Sequence, residues 1–140
     1  MIDAELINRK LVLIGQDLEE LASLSRKSKS DYLGDRINEA AAERYLERMI
    51  GRMIDINFHV LVESGKAPPP DYYQSFVKLA ELGVYEHEFA ERIARAAGLR
   101  SRIAHEYDEI DADLVYEAII AAGKDVPEYI QTIQAFLGGV

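Results

Sequence analysis

Apolar residues recur along this chain at helical spacing. Ile7, Leu11, Ile14, Leu18 and Leu21 follow one another at steps of 4, 3, 4 and 3. That is the period of one helix face, and it predicts a helix from about Asp3 to Ser23. The polar stretch from Ser25 to Ser30 breaks it. A longer helix is expected from Asp31 or Asp35 to Glu63, closing at Ser64-Gly65. Its later half is apolar on several sides (Leu46, Met49, Ile50, Met53, Ile54, Ile56, Phe58), the mark of a helix at the centre of a bundle or at a subunit interface. Pro68-Pro69-Pro70 then forces an extended link. A short third helix is predicted from Asp71 to about Leu82, with Gly83 placed to close it. The fourth runs from about Glu86 to Tyr107, and Asp108 to Asp111 make a turn. Asp111 caps a fifth helix, in which Val115, Ala118, Ile119 and Ala122 share a face. Gly123 and Pro127 are expected to interrupt it before Ile130, Ile133 and Leu137 resume. The last residues, Gly138 to Val140, are expected to fray. No strand pattern or internal repeat appears. The pattern therefore predicts an all-α, up-and-down bundle of about five helices.

The fourth helix breaks its own pattern. Phe89, Ile93, Ala96, Arg100, Ile103 and Tyr107 succeed one another at steps of 4, 3, 4, 3 and 4, so a guanidinium falls on an apolar seam. A charge there is costly unless it meets an acid or a polar cavity. His105 lies about 140° round the helix from Arg100, whereas Tyr107 lies within about 20° of it. Two arrangements bring Arg100 and His105 together. Either the long arginine side chain reaches round, or a second copy supplies the partner across a two-fold axis.

These residue types suit phosphodiester cleavage without a metal. Histidine moves protons near neutrality, arginine offers forked donors to phosphate oxygens, and tyrosine stacks on a base or donates to the phosphate. A purely structural account is also open. His105 can serve as a cation at the helix C-terminus, and Arg100 can form an ion pair with a carboxylate such as Asp55.

Composition narrows the field. The 140 residues suit one domain spanning 1–140. The chain has no cysteine, no apolar run of membrane-spanning length and an acidic rather than basic start, which makes the cytoplasm the expected compartment and a membrane partner unexpected. A net charge of −9 argues against a broad electrostatic grip on DNA or RNA. The charge is uneven, however: Arg92, Arg95, Arg100, Arg102 and His105 are close in sequence, and an acidic shell with one basic pocket fits that clustering. Arg44, Arg48 and Arg52 recur four residues apart and are read as a solvated face paired with Glu43 and Glu47. Arg52, Asp55 and His59 form a polar line on the apolar helix, with Asp55 and His59 paired or Asp55 supporting Arg100. His87 reads as solvated surface, and Tyr72, Tyr73 and Phe76 as core anchors. The three histidines show no metal-ligand spacing, so neither metal nor cofactor is expected.

The segment Gly98-Leu99-Arg100-Ser101-Arg102-Ile103-Ala104-His105-Glu106-Tyr107 resembles the signature of HepT-like proteins in the HEPN superfamily, an arginine, four residues, histidine, one residue, tyrosine. The likeness continues upstream through Pro68 to Phe76 and Leu79 to Val84, and downstream through Ile110 to Glu117. The resemblance implies a homodimeric helical bundle acting as a metal-independent endoribonuclease toxin. It implies Arg100 and His105 as catalytic residues; Ser101, Arg102 and Asp55 are read as supporting them. It also implies a nucleotidyltransferase antitoxin of the MNT type as partner, with Tyr107 as the acceptor of AMP. The residue after the arginine is commonly Asn, Asp or His in such proteins and is Ser101 here, which hydrogen-bonds but reaches less far. An alternative role is a non-catalytic helical module that binds the nucleotidyltransferase or a nucleotide.

Overall fold

The helix starts are written in aspartate and serine. In the computed structural model, which describes residues 1–106 and 108–139, the Asp3 carboxylate accepts from the backbone of Leu6 and opens α1 (Ala4–Ser25). Ser28 accepts from Asp31 to open α2 (Lys29–Leu33), and Asp35 from Ile37 to open α3 (Arg36–Glu63). Asp71 caps α4 (Tyr72–Glu81), α5 (His87–His105) follows Glu86 without a side-chain cap, and Asp111 caps α6 (Ala112–Gly138). Each cap satisfies a backbone N–H that has no partner within its helix. Gly65 and Gly83 take φ of 83° and 80°, the left-handed conformation that ends α3 and α4.

All described residues in regular structure are helical, and α3 runs through the middle, touching every other helix. This explains why it is apolar on several sides: Leu46, Met49, Ile50, Met53, Ile56, Val60 and Leu61 are all buried. α1 packs antiparallel to it along Ile7, Leu11, Ile14 and Leu21. Beside this apolar contact runs a polar ladder. Asp17 meets Arg52 at 2.6 Å, Lys10 meets Asp55 at 3.4 Å, and the Asp3 backbone N–H donates to His59 Nε2 at 2.9 Å. Residues seven apart on α1 thus meet residues three and four apart on α3.

The structure departs from the sequence expectation at several places. Among the described residues there are six helices, because α2 spans the end of the stretch read as a break and the Asp31 start offered for the next helix, and α3 begins separately after Asp35. Its Tyr32 is fully buried against Tyr116, ring centroids 4.9 Å apart, and burying one large ring holds a five-residue helix that propensity alone would not. α6 runs unbroken through Gly123 and Pro127. An interior proline costs about 3 kcal/mol, but Val115, Ile119, Val126, Tyr129 and Ile133 form one continuous buried face, and that burial outweighs the loss. Arg48 and Arg52 pair with Asp17 of α1 rather than with Glu43 and Glu47. Asp55 and His59 do not pair with each other, since α1 supplies a partner to each. Of the three aromatics near Asp71 only Phe76 is core; Tyr72 and Tyr73 are half-exposed.

A buried polar chain joins α4, α3 and α6. Asn57 donates to Ser75 Oγ at 3.1 Å and accepts from the Tyr129 hydroxyl at 2.6 Å. Burial raises the Tyr129 and Tyr85 phenols above the ordinary range, and burial with the nearby Glu39 and Glu43 carboxylates pushes Tyr32 up to about 12. These groups stay protonated in the folded chain after the unfolded chain has begun to ionise, near pH ~10. Stability is therefore intact below pH ~10 and falls as pH climbs above it. A titration following tyrosinate absorbance and circular dichroism together should show ionisation of the buried tyrosines coinciding with loss of helix. Ionisation of all eight tyrosines near pH ~10 in a still-helical chain would contradict this.

Candidate active site

α5 carries the segment singled out in the sequence. Ile103 is buried and fixes the rotation of the helix against the core. That rotation leaves His105 and Ser101 exposed and Arg100 half-buried, facing α3 and α4. The divergence expected from helix geometry is therefore present within the chain.

Arg100 makes no ion pair with any described carboxylate. Its guanidinium carbon stands 5.8 Å from the centre of the Tyr72 ring. Its Nε lies against the α3 backbone at Gly51, 3.3 Å from where a Cβ would stand there. That Nε is sealed from solvent and has no hydrogen-bond partner among the described residues. A cation without a carboxylate partner retains its full charge for an incoming anion.

His105 Nδ1 stands 2.9 Å from the Ser101 carbonyl oxygen one turn back. A carbonyl only accepts, so Nδ1 must carry the proton in this contact. In the neutral ring the lone pair is then on Nε2, and the exposed side chain presents it to solvent. Ser101 acts here through its backbone, so its short side chain does not alter the contact. Arg102 pairs with Glu106 at 3.4 Å on the exposed surface. Asp55 is not brought to Arg100: it is exposed and occupied by Lys10. Tyr107 lies outside the described residues.

α5 and α6 both pack on α3 but make little contact with each other. Between them lies an open crevice of about 730 Å³, floored by Leu46, Met49, Ile50 and Met53. Its α5 wall carries Arg92, Arg95 and Arg102, at steps of 3 and 7 and hence on one side of the helix. Asp125 and Glu128 hold Arg92 at 3.1 and 3.9 Å, while Arg95 is exposed and unpaired among the described residues. Three of the five clustered cations thus share this wall, but Glu117 and Asp125 also line the crevice, most of its lining is apolar, and Arg100 and His105 lie outside it. The α6 wall combines three alanines with Leu114, Val126 and the acids Glu117 and Asp125. Among the described residues no group of three or more His, Asp or Glu side chains converges as a metal site would need, and no helix is long and apolar enough to cross a membrane.

Comparison with known proteins places these features in a family. The model of a family described as ribonuclease HepT-like matches residues 14–133. The chain is 37% identical over 141 aligned positions to the tRNA nuclease HepT of Aphanizomenon flos-aquae, covering 97% of this chain and 92% of that protein. It is 26% identical over 90 positions to the mRNA nuclease HepT of Shewanella oneidensis, covering 64% and 68% of the two chains. Among solved structures it superposes with TM-score 0.85 on a chain of a toxin–antitoxin assembly crystallised with AMP-PNP, at 20% identity and covering 94% and 98% of the chains. It superposes with TM-score 0.83 on a chain of the tri-AMPylated HEPN toxin of Shewanella oneidensis in complex with its MNT antitoxin, at 22% identity and covering 92% and 96%.

Proposed function

The chain belongs to the HepT-like ribonuclease family, and from that premise we propose that it is the RNA-cleaving toxin of a toxin–antitoxin pair, using Arg100 and His105. The observation that carries this reading is that α5 presents both an exposed His105, whose Nδ1 is committed to the Ser101 carbonyl, and an arginine that no described carboxylate neutralises. His105 Nε2 removes the proton from a ribose 2′-hydroxyl. The 2′-oxygen attacks the adjacent phosphorus, the bond from phosphorus to the 5′-oxygen breaks, and that oxygen takes up a proton. The products are a 2′,3′-cyclic phosphate and a 5′-hydroxyl end. Arg100 stabilises the charge that gathers on the non-bridging oxygens. No step requires a metal.

His105 and Arg100 point to different sides of α5, so the working site is assigned to a cleft between two copies. There the His105 of each copy meets the other's arginine, and a second imidazolium supplies the leaving-group proton. Arg95, exposed on the crevice wall and without an ion-pair partner among the described residues, offers the RNA backbone a further positive contact despite the acidic whole. tRNA is the first substrate class to test, because the tRNA nuclease HepT matches over nearly the full chain. Incubation of the protein with tRNA and with mRNA in EDTA should yield ends bearing 2′,3′-cyclic phosphate. Cleavage that requires added divalent cation, or that leaves other ends, would refute the mechanism.

An MNT-type nucleotidyltransferase is assigned as the antitoxin, with Tyr107 as the acceptor of AMP. Adenylylation there would add bulk and negative charge two residues along the chain from His105 and oppose RNA binding. Labelling by the partner with radioactive ATP should be lost in Tyr107→Phe; equal labelling of variant and wild type would move the modification elsewhere. A non-catalytic module that binds the nucleotidyltransferase is the second reading. It is favoured by Arg92 and Arg102 being already paired with the chain's own carboxylates, and it predicts complex formation without RNA cleavage.

A further inference from the structure

Gly51 takes no part in the apolar packing of α3. It sits in the interior of α3, between Ile50 and Arg52, where glycine costs about 1 kcal/mol relative to alanine. It is not among the glycines with positive φ, so no turn demands it. What stands against it is Arg100. A Cβ at position 51 would meet Arg100 Nε at 3.3 Å, Nη2 at 3.6 Å and Cζ at 3.8 Å. Only the first is tighter than ordinary van der Waals contact, which begins near 3.4 Å, so the guanidinium fills the space beside the missing side chain with its Nε closest. On another side stands the Tyr72 ring, 5.8 Å from Cζ to its centre. Tyr72 is itself braced edge-on by Phe58 of α3, with centroids 6.0 Å apart and planes at 82°.

We propose that Gly51 and Tyr72 are positioning residues: they form a slot, a backbone notch on α3 and a ring on α4, that holds the guanidinium of Arg100 in one orientation. The sealed, partnerless Nε marks the closed end of that slot. A buried donor left unpaired costs free energy, and an arginine free to move would swing it into water. The slot keeps it there and leaves the terminal N–H groups of the guanidinium to meet a phosphate. A cation over an aromatic face is attracted to the ring without being neutralised by it, so the slot orients the charge and preserves it. This inference rests on the reading of Arg100 as the phosphate-stabilising group.

The test separates position from fold. In Gly51→Ala the new methyl must displace the end of Arg100 by a few tenths of an ångström or more. Misplacement of a catalytic group by about 1 Å costs on the order of a hundredfold in rate. With tRNA as the probe, kcat should fall about tenfold or more with KM little changed, while the melting temperature holds or rises because alanine favours the helix. Tyr72→Leu should lower kcat in the same sense. The Arg100 Nε–H resonance, identified by its loss in Arg100→Lys, should shift in Gly51→Ala. If Gly51→Ala cleaves like wild type while Arg100→Ala is inactive, the slot is refuted and the active-site reading stands. If the Nε–H resonance does not move, or if activity and melting temperature fall together, position 51 is merely structural and the proposal is overturned. If Arg100→Ala cleaves as wild type does, or wild type does not cleave tRNA, both the slot and the reading beneath it fall.

Discussion

His105→Ala is expected to lower RNA cleavage about a hundred- to ten-thousandfold, the usual contribution of a positioned general acid or base. The side chain is exposed and its one hydrogen bond is within its own helix turn, so nothing in the core depends on it. The loss should therefore appear in kcat with the circular dichroism spectrum and melting temperature unchanged. Arg100→Ala should lose about a hundred- to a thousandfold, the size seen when one donor to a developing oxyanion is removed. Because a donor of this kind acts on charge that appears only in the transition state, its removal should lower kcat and kcat/KM together. Combining the two replacements should cost little more than the worse single one, as groups acting in one step are not additive. The assay is single-turnover cleavage of end-labelled tRNA in EDTA. Full activity in His105→Ala would end the assignment.

The second large effect concerns stability. Asp17 is buried, its carboxylate held by Arg52 at 2.6 Å and reached by Arg48 at 3.7 Å. Arg52→Met removes the short partner and leaves a carboxylate in the α1–α3 contact with only a distant, exposed cation. Stranding a buried charge in this way costs about 3 kcal/mol or more. Replacing both residues with apolar ones, Asp17→Leu with Arg52→Met, should recover most of that loss, since a buried pair contributes little net stability beyond what apolar packing would give. Urea denaturation followed by circular dichroism measures both. A double variant no more stable than Arg52→Met alone would show that the site needs polarity and not merely neutrality. The single variant should not disturb Arg100, whose contacts are on α3 at Gly51 and on α4 at Tyr72.

Sequence periodicity exposed five of the helices and the odd position of Arg100, because those features repeat along one chain. What it could not supply was the register between chains of contacts. Arg52, Asp55 and His59 were visible as a polar line. Their partners are Asp17, Lys10 and Asp3, and only the sliding of α1 along α3 selects those three from the many acids and bases available. The same limit hid the notch: Gly51 reads as an ordinary interruption until Arg100 is seen to lie in it. α2 was not legible as a helix separate from α3, because a single buried ring, Tyr32 on Tyr116, holds it against a polar composition. Pro127 misled in the opposite direction, since local chemistry signals a break that the buried face of α6 overrides. Within the site, the residue types and their divergence were legible. The Nδ1 contact to a backbone carbonyl was not, because it depends on a rotamer.

The aspartates at the helix starts change what the chain's acidity means. Asp3, Asp35, Asp71 and Asp111 each close on a backbone amide, where the positive end of the helix already faces them. Each is exposed and keeps its unit charge, but the helix terminus that it caps opposes its field locally. The net charge of −9 therefore governs repulsion of a polyanion at a distance, while the field at a given patch depends on which carboxylates sit at helix starts.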